Sequence, residues 1–124
     1  MTVLVDSDVL IEVTRKRDSE ILTRWLDLGA SDRVILYSPV TAAELWAGAL
    51  PREEKLLRGL FQALQCAPID EAVGTRAGGY LRKYQRSHSV QMGDALIAAS
   101  AVQKGAALWT RNRKHFPMKE VEFF

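Results

Sequence analysis

The chain has 124 residues, of which 48% are hydrophobic and 26% charged, with a formal net charge of +2. These values are typical of one soluble globular domain and exclude a mostly disordered chain. The single cysteine, Cys66, excludes an intramolecular disulfide, and no apolar stretch approaches the roughly 20 residues that a membrane span needs. We therefore expect one cytoplasmic domain over residues 1–124, without membrane contact.

Short apolar runs alternate with segments of helical periodicity along the whole chain. The runs predicted as strands are Val3–Val5, Val34–Tyr37, Ala67–Ile69, Ala107–Trp109 and Val121–Phe124. The segments predicted as helices are Val9–Thr14, Ile21–Leu28, Val40–Leu64 with a break at Pro51, Ala72–Tyr84 and Ala95–Val102. Uniformly apolar strands separated by helices predict a mostly parallel central sheet covered on both faces, which is a three-layer α/β/α sandwich.

Two acids, Asp6 and Asp8, follow the first predicted strand. A buried charge is costly unless it is paired, hydrogen-bonded or bound to a metal. Ligands of open α/β sheets bind beyond the carboxyl ends of the strands, which favours a functional role for Asp6. Asp8 immediately precedes the apolar segment VLIEV, so we predict that Asp8 caps the first helix.

Two further acids lie in helical segments. Glu44 belongs to VTAAELWAG, where most neighbours are small or apolar and no lysine or arginine stands at helical spacing. A solvent-facing glutamate is the ordinary explanation, but an unpaired acid on such a helix is better explained by a ligand. Asp94 lies at the start of GDALIAASAV, which is apolar nearly all round and therefore predicted to be buried. Stabilisation by the helix N-terminus and a role in a site explain Asp94 equally well.

The segment TRNRKHF places Thr110 and Asn112 just after the predicted strand Ala107–Trp109. Turn and capping roles account for both residues singly, but the three acids and this polar pair come from four segments that can meet in one crevice. Clustered carboxylates repel each other unless a cation compensates, and Mg²⁺ prefers such oxygen ligands. The pattern therefore indicates metal-assisted hydrolysis of a phosphodiester.

Four motifs, VLVDSDVLI, VTAAELWAG, GDALIAASA and TRNRKHF, resemble in order and spacing those of PIN-domain proteins. The residues of these motifs and the short chain are similar to those of the VapC-type toxins of type II toxin–antitoxin pairs. The resemblance spans Val3 to Phe116. It implies an endoribonuclease that depends on Mg²⁺ or Mn²⁺ and cleaves RNA with a metal-activated water. It also implies a homodimer, and inhibition by a cognate antitoxin protein whose tail occupies the groove.

The resemblance also assigns roles to residues of this chain. Asp6, Glu44 and Asp94 match the three acidic metal-site positions, and Asn112 stands where many members carry a fourth acid of the catalytic set. Thr110 matches a position that is often Ser or Thr and hydrogen-bonds an acid, whereas Asp8 supports the site at a position that is frequently Asn. The basic residues expected to steer RNA are Arg82, Arg86, Arg111, Arg113 and Lys114.

Three alternatives stay open on the sequence. The opening DSD also resembles the motif of haloacid-dehalogenase-type phosphatases, with Asp6 as the nucleophile, although Ala98 stands where GDxxxD requires a second acid. A receiver-type signalling domain has a similar length but needs a phosphoacceptor aspartate near the middle of the chain, where only glutamates stand. A PIN scaffold that binds RNA or protein without cutting is the third.

Overall fold

Short strands and helices alternate in the computed structural model, which describes residues 1–124. The strands are β1 (Thr2–Val5), β2 (Val34–Tyr37), β3 (Gln65–Cys66) and β4 (Ala107–Trp109). The helices are α1 (Ser7–Arg15), α2 (Ser19–Ala30), α3 (Pro39–Ala47), α4 (Glu54–Ala63), α5 (Glu71–His88) and α6 (Met92–Gln103), with 3₁₀ turns at Pro51–Glu53 and Arg113–His115. None of the helices combines the length and the apolar character required to traverse a lipid bilayer.

The four strands form one parallel sheet in the order β3-β2-β1-β4. Leu4 of β1 pairs with Leu36 on one side and with Leu108 on the other, so β1 lies in the interior of the sheet. Because all strands run in the same direction, their carboxyl ends meet at one edge. The residue that follows β1, Asp6, is therefore placed near the middle of that edge.

Alternate residues of β1 enter two separate hydrophobic cores. Val3 and Val5 pack into the core that includes Val9 of α1, Leu28 of α2 and Leu57 of α4. Leu4 packs into the other core, which is formed mainly by α5 and α6. Helices thus cover both faces of the sheet, and the predicted three-layer α/β/α sandwich with a parallel sheet is confirmed.

Two strand predictions were wrong in position or extent. The third strand is Gln65–Cys66 instead of Ala67–Ile69, because Ala67 contributes only one further hydrogen bond, from its amide to the Tyr37 carbonyl, and Pro68 has no amide hydrogen to continue the ladder. The segment Val121–Phe124 is not a full strand: it forms a single parallel bridge, between Phe123 and Leu108.

Helix α1 begins two residues earlier than predicted, at Ser7 instead of Val9, and the prediction that Asp8 caps it was wrong. Asp6 is the N-cap: its backbone is extended and its carboxylate accepts a hydrogen bond from the amide of Ser7. Its carbonyl already accepts from the amides of Val9 and Leu10, so Asp8 lies within the first turn. One residue therefore both ends the strand and starts the helix.

The remaining helix bounds differ from the predictions by a few residues. Helix α6 begins at Met92 after the N-cap Gln91, three residues before the predicted Ala95, and Asp94 lies in its first turn as predicted. Helix α3 ends at Ala47, before the predicted break at Pro51. Ser38 and Asp70 cap α3 and α5, since each side chain accepts a hydrogen bond from an amide of the first turn that follows.

Candidate functional site

A cleft of about 410 Å³ opens at the carboxyl edge of the sheet. It brings together all four predicted acids and Asn112. Its lining residues are Asp6, Ser7, Asp8, Val40, Glu44, Gln91, Gly93, Asp94, Ile97, Asn112 and His115. A larger groove of about 850 Å³ runs along α5 and contains none of these residues. The chemistry predicted from the sequence is thus concentrated in the smaller cleft.

Asp6 is the most deeply buried acid of the cleft, with 9% of its surface exposed. Its Oδ1 accepts a hydrogen bond of 2.8 Å from the amide of Ser7, and its Oδ2 accepts one of 2.9 Å from the hydroxyl of Thr110. Burial, followed by the negative charge of Asp8, raises the pKa of Asp6 to about 6 in spite of these two donors. Ionisation of this carboxylate therefore lowers the stability of the folded chain.

Asp8 lies in the first turn of α1 and faces the loop after β4. Its Oδ2 accepts a hydrogen bond of 3.1 Å from the amide of Arg111 and lies 3.4 Å from the Thr110 hydroxyl. Its Oδ1 is buried and has no hydrogen-bond partner. Burial raises the pKa of Asp8 as well. A buried carboxylate oxygen without a donor is costly, so this oxygen is suited to accept from a water molecule or to bind a cation.

Glu44 reaches the cleft from α3 and is exposed to solvent. Ser7 joins it to α1, because the Ser7 hydroxyl lies 3.0 Å from Oε1 of Glu44 and 3.1 Å from the hydroxyl of Thr41. Sequence reasoning missed Ser7, whose signal was its position between two acids at the start of the first helix. The hydroxyl contacts fix which way the Glu44 carboxylate points.

Asp94 enters the cleft from the first turn of α6. Its Oδ2 accepts a hydrogen bond of 3.1 Å from the amide of Gln91. The start of α6 packs close to α3, since a Cβ added at Gly93 would lie 3.4 Å from a methyl group of Val40, about van der Waals contact. The close approach of these two helices places the carboxylates of Asp94 and Glu44 in one cleft.

His115 completes the cleft and was not predicted as a site residue. Its Nδ1 lies 3.8 Å from Oδ1 of Asp94, and its Nε2 lies 3.2 Å from Nδ2 of Asn112. The 3₁₀ turn Arg113–His115 brings the imidazole back over Asn112. The spacing of three residues between Asn112 and His115 was the one available signal, because such a turn places residues i and i+3 on the same side.

The donor set of the cleft suits a hard divalent cation. Four carboxylates line it, whereas no lysine or arginine does. Carboxylate oxygens are the ligands that Mg²⁺ and Mn²⁺ prefer, and the unpartnered Oδ1 of Asp8 adds a further acceptor. No three His, Cys, Asp or Glu side chains converge closely enough to hold an ion by themselves. The residues therefore fit an ion that keeps several of its waters, as Mg²⁺ usually does.

The predicted basic residues fall into two groups. Arg82 and Arg86 lie exposed on α5 and do not line the cleft, whereas the other three follow β4 beside it. Within this second group the guanidinium of Arg111 binds Glu12, and that of Arg113 lies 4.8 Å from the ring centre of Phe123. Lys114 is exposed and forms no ion pair, so its ammonium group is free to meet a phosphate.

Comparison with known proteins gives a consistent result. Residues 3–122 match the family model described as PIN domain. Ribonuclease VapC10 of Mycobacterium tuberculosis is 38% identical over 123 residues, which cover 95% of this chain and 88% of that protein. A toxin–antitoxin complex from Klebsiella pneumoniae contains a chain of the same fold, with a TM-score of 0.78, 23% identity, and coverage of 96% and 94% of the two chains. FitAcB from Neisseria gonorrhoeae is similar with a TM-score of 0.74, 28% identity, and coverage of 98% and 96%.

Proposed function

The chain belongs to the PIN-domain family, and we propose from this that it is an endoribonuclease toxin of a toxin–antitoxin pair, inhibited by a cognate antitoxin. The relative from Mycobacterium tuberculosis, Ribonuclease VapC10, is 38% identical to this chain. The observation that carries the proposal is the single cleft that Asp6, Glu44 and Asp94 share with Asn112, at the edge of the sheet where ligands bind. Family membership removes the phosphatase and receiver alternatives.

Asp6, Glu44 and Asp94 would hold the divalent ion, Mg²⁺ or Mn²⁺, directly or through water. When bound, such an ion lowers the pKa of a water molecule and offsets the charge of the phosphate. The Thr110 hydroxyl and the Ser7 amide hold the Asp6 carboxylate in place. Asp8 supports the same site from the adjacent turn, and Asn112 can orient water or a phosphate oxygen beside Asp94.

RNA would approach over the basic loop after β4. Lys114 and Arg113 are exposed next to His115, which lines the cleft, so their charges attract the phosphate backbone toward the carboxylates. Arg82 and Arg86 would contact a longer RNA that continues along α5. Positive charge at the rim and negative charge inside the cleft together favour a substrate phosphate that arrives with a bound cation.

The partners follow from the same family. The solved neighbour from Klebsiella pneumoniae is a toxin–antitoxin complex, which supports an antitoxin that blocks the cleft. A homodimer is part of the same proposal, and sedimentation of the purified chain tests it. A single species with the mass of one chain would remove the homodimer without affecting the proposed activity.

Cleavage should leave a 3′-hydroxyl and a 5′-phosphate at the cut. In-line attack by water on the phosphorus expels the O3′ atom, whereas attack by the RNA 2′-hydroxyl leaves a 2′,3′-cyclic phosphate. We expect fragments made by the purified chain with Mn²⁺ to ligate directly to adapters, without prior kinase or phosphatase treatment. Cyclic ends would contradict hydrolysis by water. Absence of cuts in total cellular RNA would favour the PIN scaffold that binds without cutting.

A further inference from the structure

Glu12 is a buried acid that the proposed chemistry does not use. It lies on α1, one turn after Asp8, and only 6% of its surface is exposed. Its Oε1 is 2.6 Å from Nη2 of Arg17 and 3.0 Å from Nη1 of Arg111. A buried carboxylate requires such partners, but two arginines from different parts of the chain are more than one charge needs.

Arg111 is attached to α1 at two points. Its backbone amide donates to Oδ2 of Asp8 at 3.1 Å, and its guanidinium binds Glu12. Asp8 and Glu12 are four residues apart on a helix, so their side chains lie on the same face in successive turns. The first residue of the loop after Thr110 is thereby fixed to two turns of the helix that carries the site acids.

The attachment of Arg111 also fixes its two neighbours. Thr110 precedes it and donates a hydrogen bond of 2.9 Å to Oδ2 of Asp6. Asn112 follows it, and its amide donates to the Thr110 hydroxyl at 3.1 Å. If Arg111 shifts, the donors that hold Asp6 and Asp8 shift with it. The Glu12 carboxylate does not line the cleft and reaches these site residues only through the guanidinium of Arg111.

We propose that Glu12 is a positioning residue: through Arg111 it holds the segment Thr110–Asn112 against Asp6 and Asp8. Arg111 then serves to order the site, in contrast to the RNA contact expected for it from the sequence. The catalytic consequence rests on the proposed function, whereas the positioning itself is a property of the metal-free chain.

Arg17 provides the matched control. It binds the same Glu12 oxygen at an even shorter distance, 2.6 Å, but it contacts no residue of the cleft. If the two arginines only neutralise the buried charge of Glu12, loss of Arg17 should affect the site as much as loss of Arg111 does. If Glu12 positions the loop, only the loss of Arg111 or of the Glu12 charge affects the site.

Hydrogen exchange of the amide of residue 111 measures the positioning without any activity. We expect Glu12→Gln and Arg111→Gln to accelerate this exchange by about tenfold or more in the metal-free chain, because the amide loses the restraint that holds it on Asp8. Arg17→Gln should change it by less than about twofold. Val73→Ala, which loosens the core under α5 away from the cleft, controls for a general loss of stability.

Cleavage kinetics measure the consequence. Glu12→Gln and Arg111→Gln should lower kcat by about 10- to 100-fold with little change in KM. Arg17→Gln and Val73→Ala should keep kcat. Equal losses in Arg17→Gln and Arg111→Gln, or wild-type exchange at residue 111 in Glu12→Gln, would overturn the proposal. If the wild-type chain cuts no RNA, the proposed function fails while the exchange experiment still decides the role of Glu12.

Discussion

Replacing Asp6 with asparagine should lower the rate of RNA cleavage by more than about 100-fold. This loss is larger than the roughly 10- to 100-fold that is typical when a residue that only supports a metal ligand is changed. Asparagine keeps the size of the side chain, and its oxygen can still accept from the Ser7 amide and cap α1. The Thr110 hydroxyl can also turn to accept from the new amide group. The expected loss therefore comes from the missing negative charge, and single-turnover cleavage of a labelled RNA measures it.

Asp32→Asn is a suitable control for this experiment. Asp32 is exposed in the turn before β2, at the edge of the sheet opposite the cleft. Both proteins should be purified through a denaturing step and refolded, so that host nucleases do not contribute. Cleavage by Asp6→Asn at the wild-type rate would remove Asp6 from the catalytic set.

The same substitution should stabilise the metal-free chain, raising its free energy of unfolding at pH 7 by about 2–3 kcal/mol. The pKa of Asp6 is about 6 in the folded chain and 3.8 when unperturbed. Because the folded pKa is raised, the folded chain binds this proton more tightly than the unfolded chain does. The stability that protonation of Asp6 contributes is fully present below pH 3.8 and is lost as the pH rises through about 6. Asparagine carries no such charge at any pH.

Urea unfolding in the presence of EDTA, at several pH values from 4 to 7, tests this prediction. The advantage of Asp6→Asn over wild type should grow across that interval, and Asp32→Asn should follow the wild type throughout. A divalent ion should reverse the order by stabilising the wild type more than the variant. A variant that is less stable than wild type at pH 7 in EDTA would show that the Asp6 charge is already compensated within the chain.

The sheet and the acidic set were predictable because each depends on local pattern. Uniformly apolar strands between helical segments admit few arrangements other than a covered parallel sheet. Since parallel strands end at one edge, the position of Asp6 after β1 and of Thr110 after β4 places them together. Glu44 stood out because nothing within its own helix could pair with it, and it does reach the cleft.

The errors arose where contacts between distant segments decide the outcome. Asp6 and Asp8 are equally good caps by residue type, and only the course of the chain from β1 into α1 selected Asp6. His115 has no signal of its own until the 3₁₀ turn places it beside Asp94. The spacing of Asp8 and Glu12 was visible in the sequence, but nothing local indicated that Arg111, from the far end of the chain, would bridge them.

We propose that Asp6, Glu44 and Asp94 form a divalent-metal site at which RNA is hydrolysed. The most direct measurement is the cleavage rate of the refolded chain as Mn²⁺ is added back to a sample held in excess EDTA. We predict no cleavage in EDTA and a rate that rises and saturates with free Mn²⁺. The ion is needed because the carboxylates repel each other and the phosphate without it, and because it activates the attacking water. Cleavage that proceeds equally fast in EDTA would show that the reaction needs no divalent ion at these carboxylates.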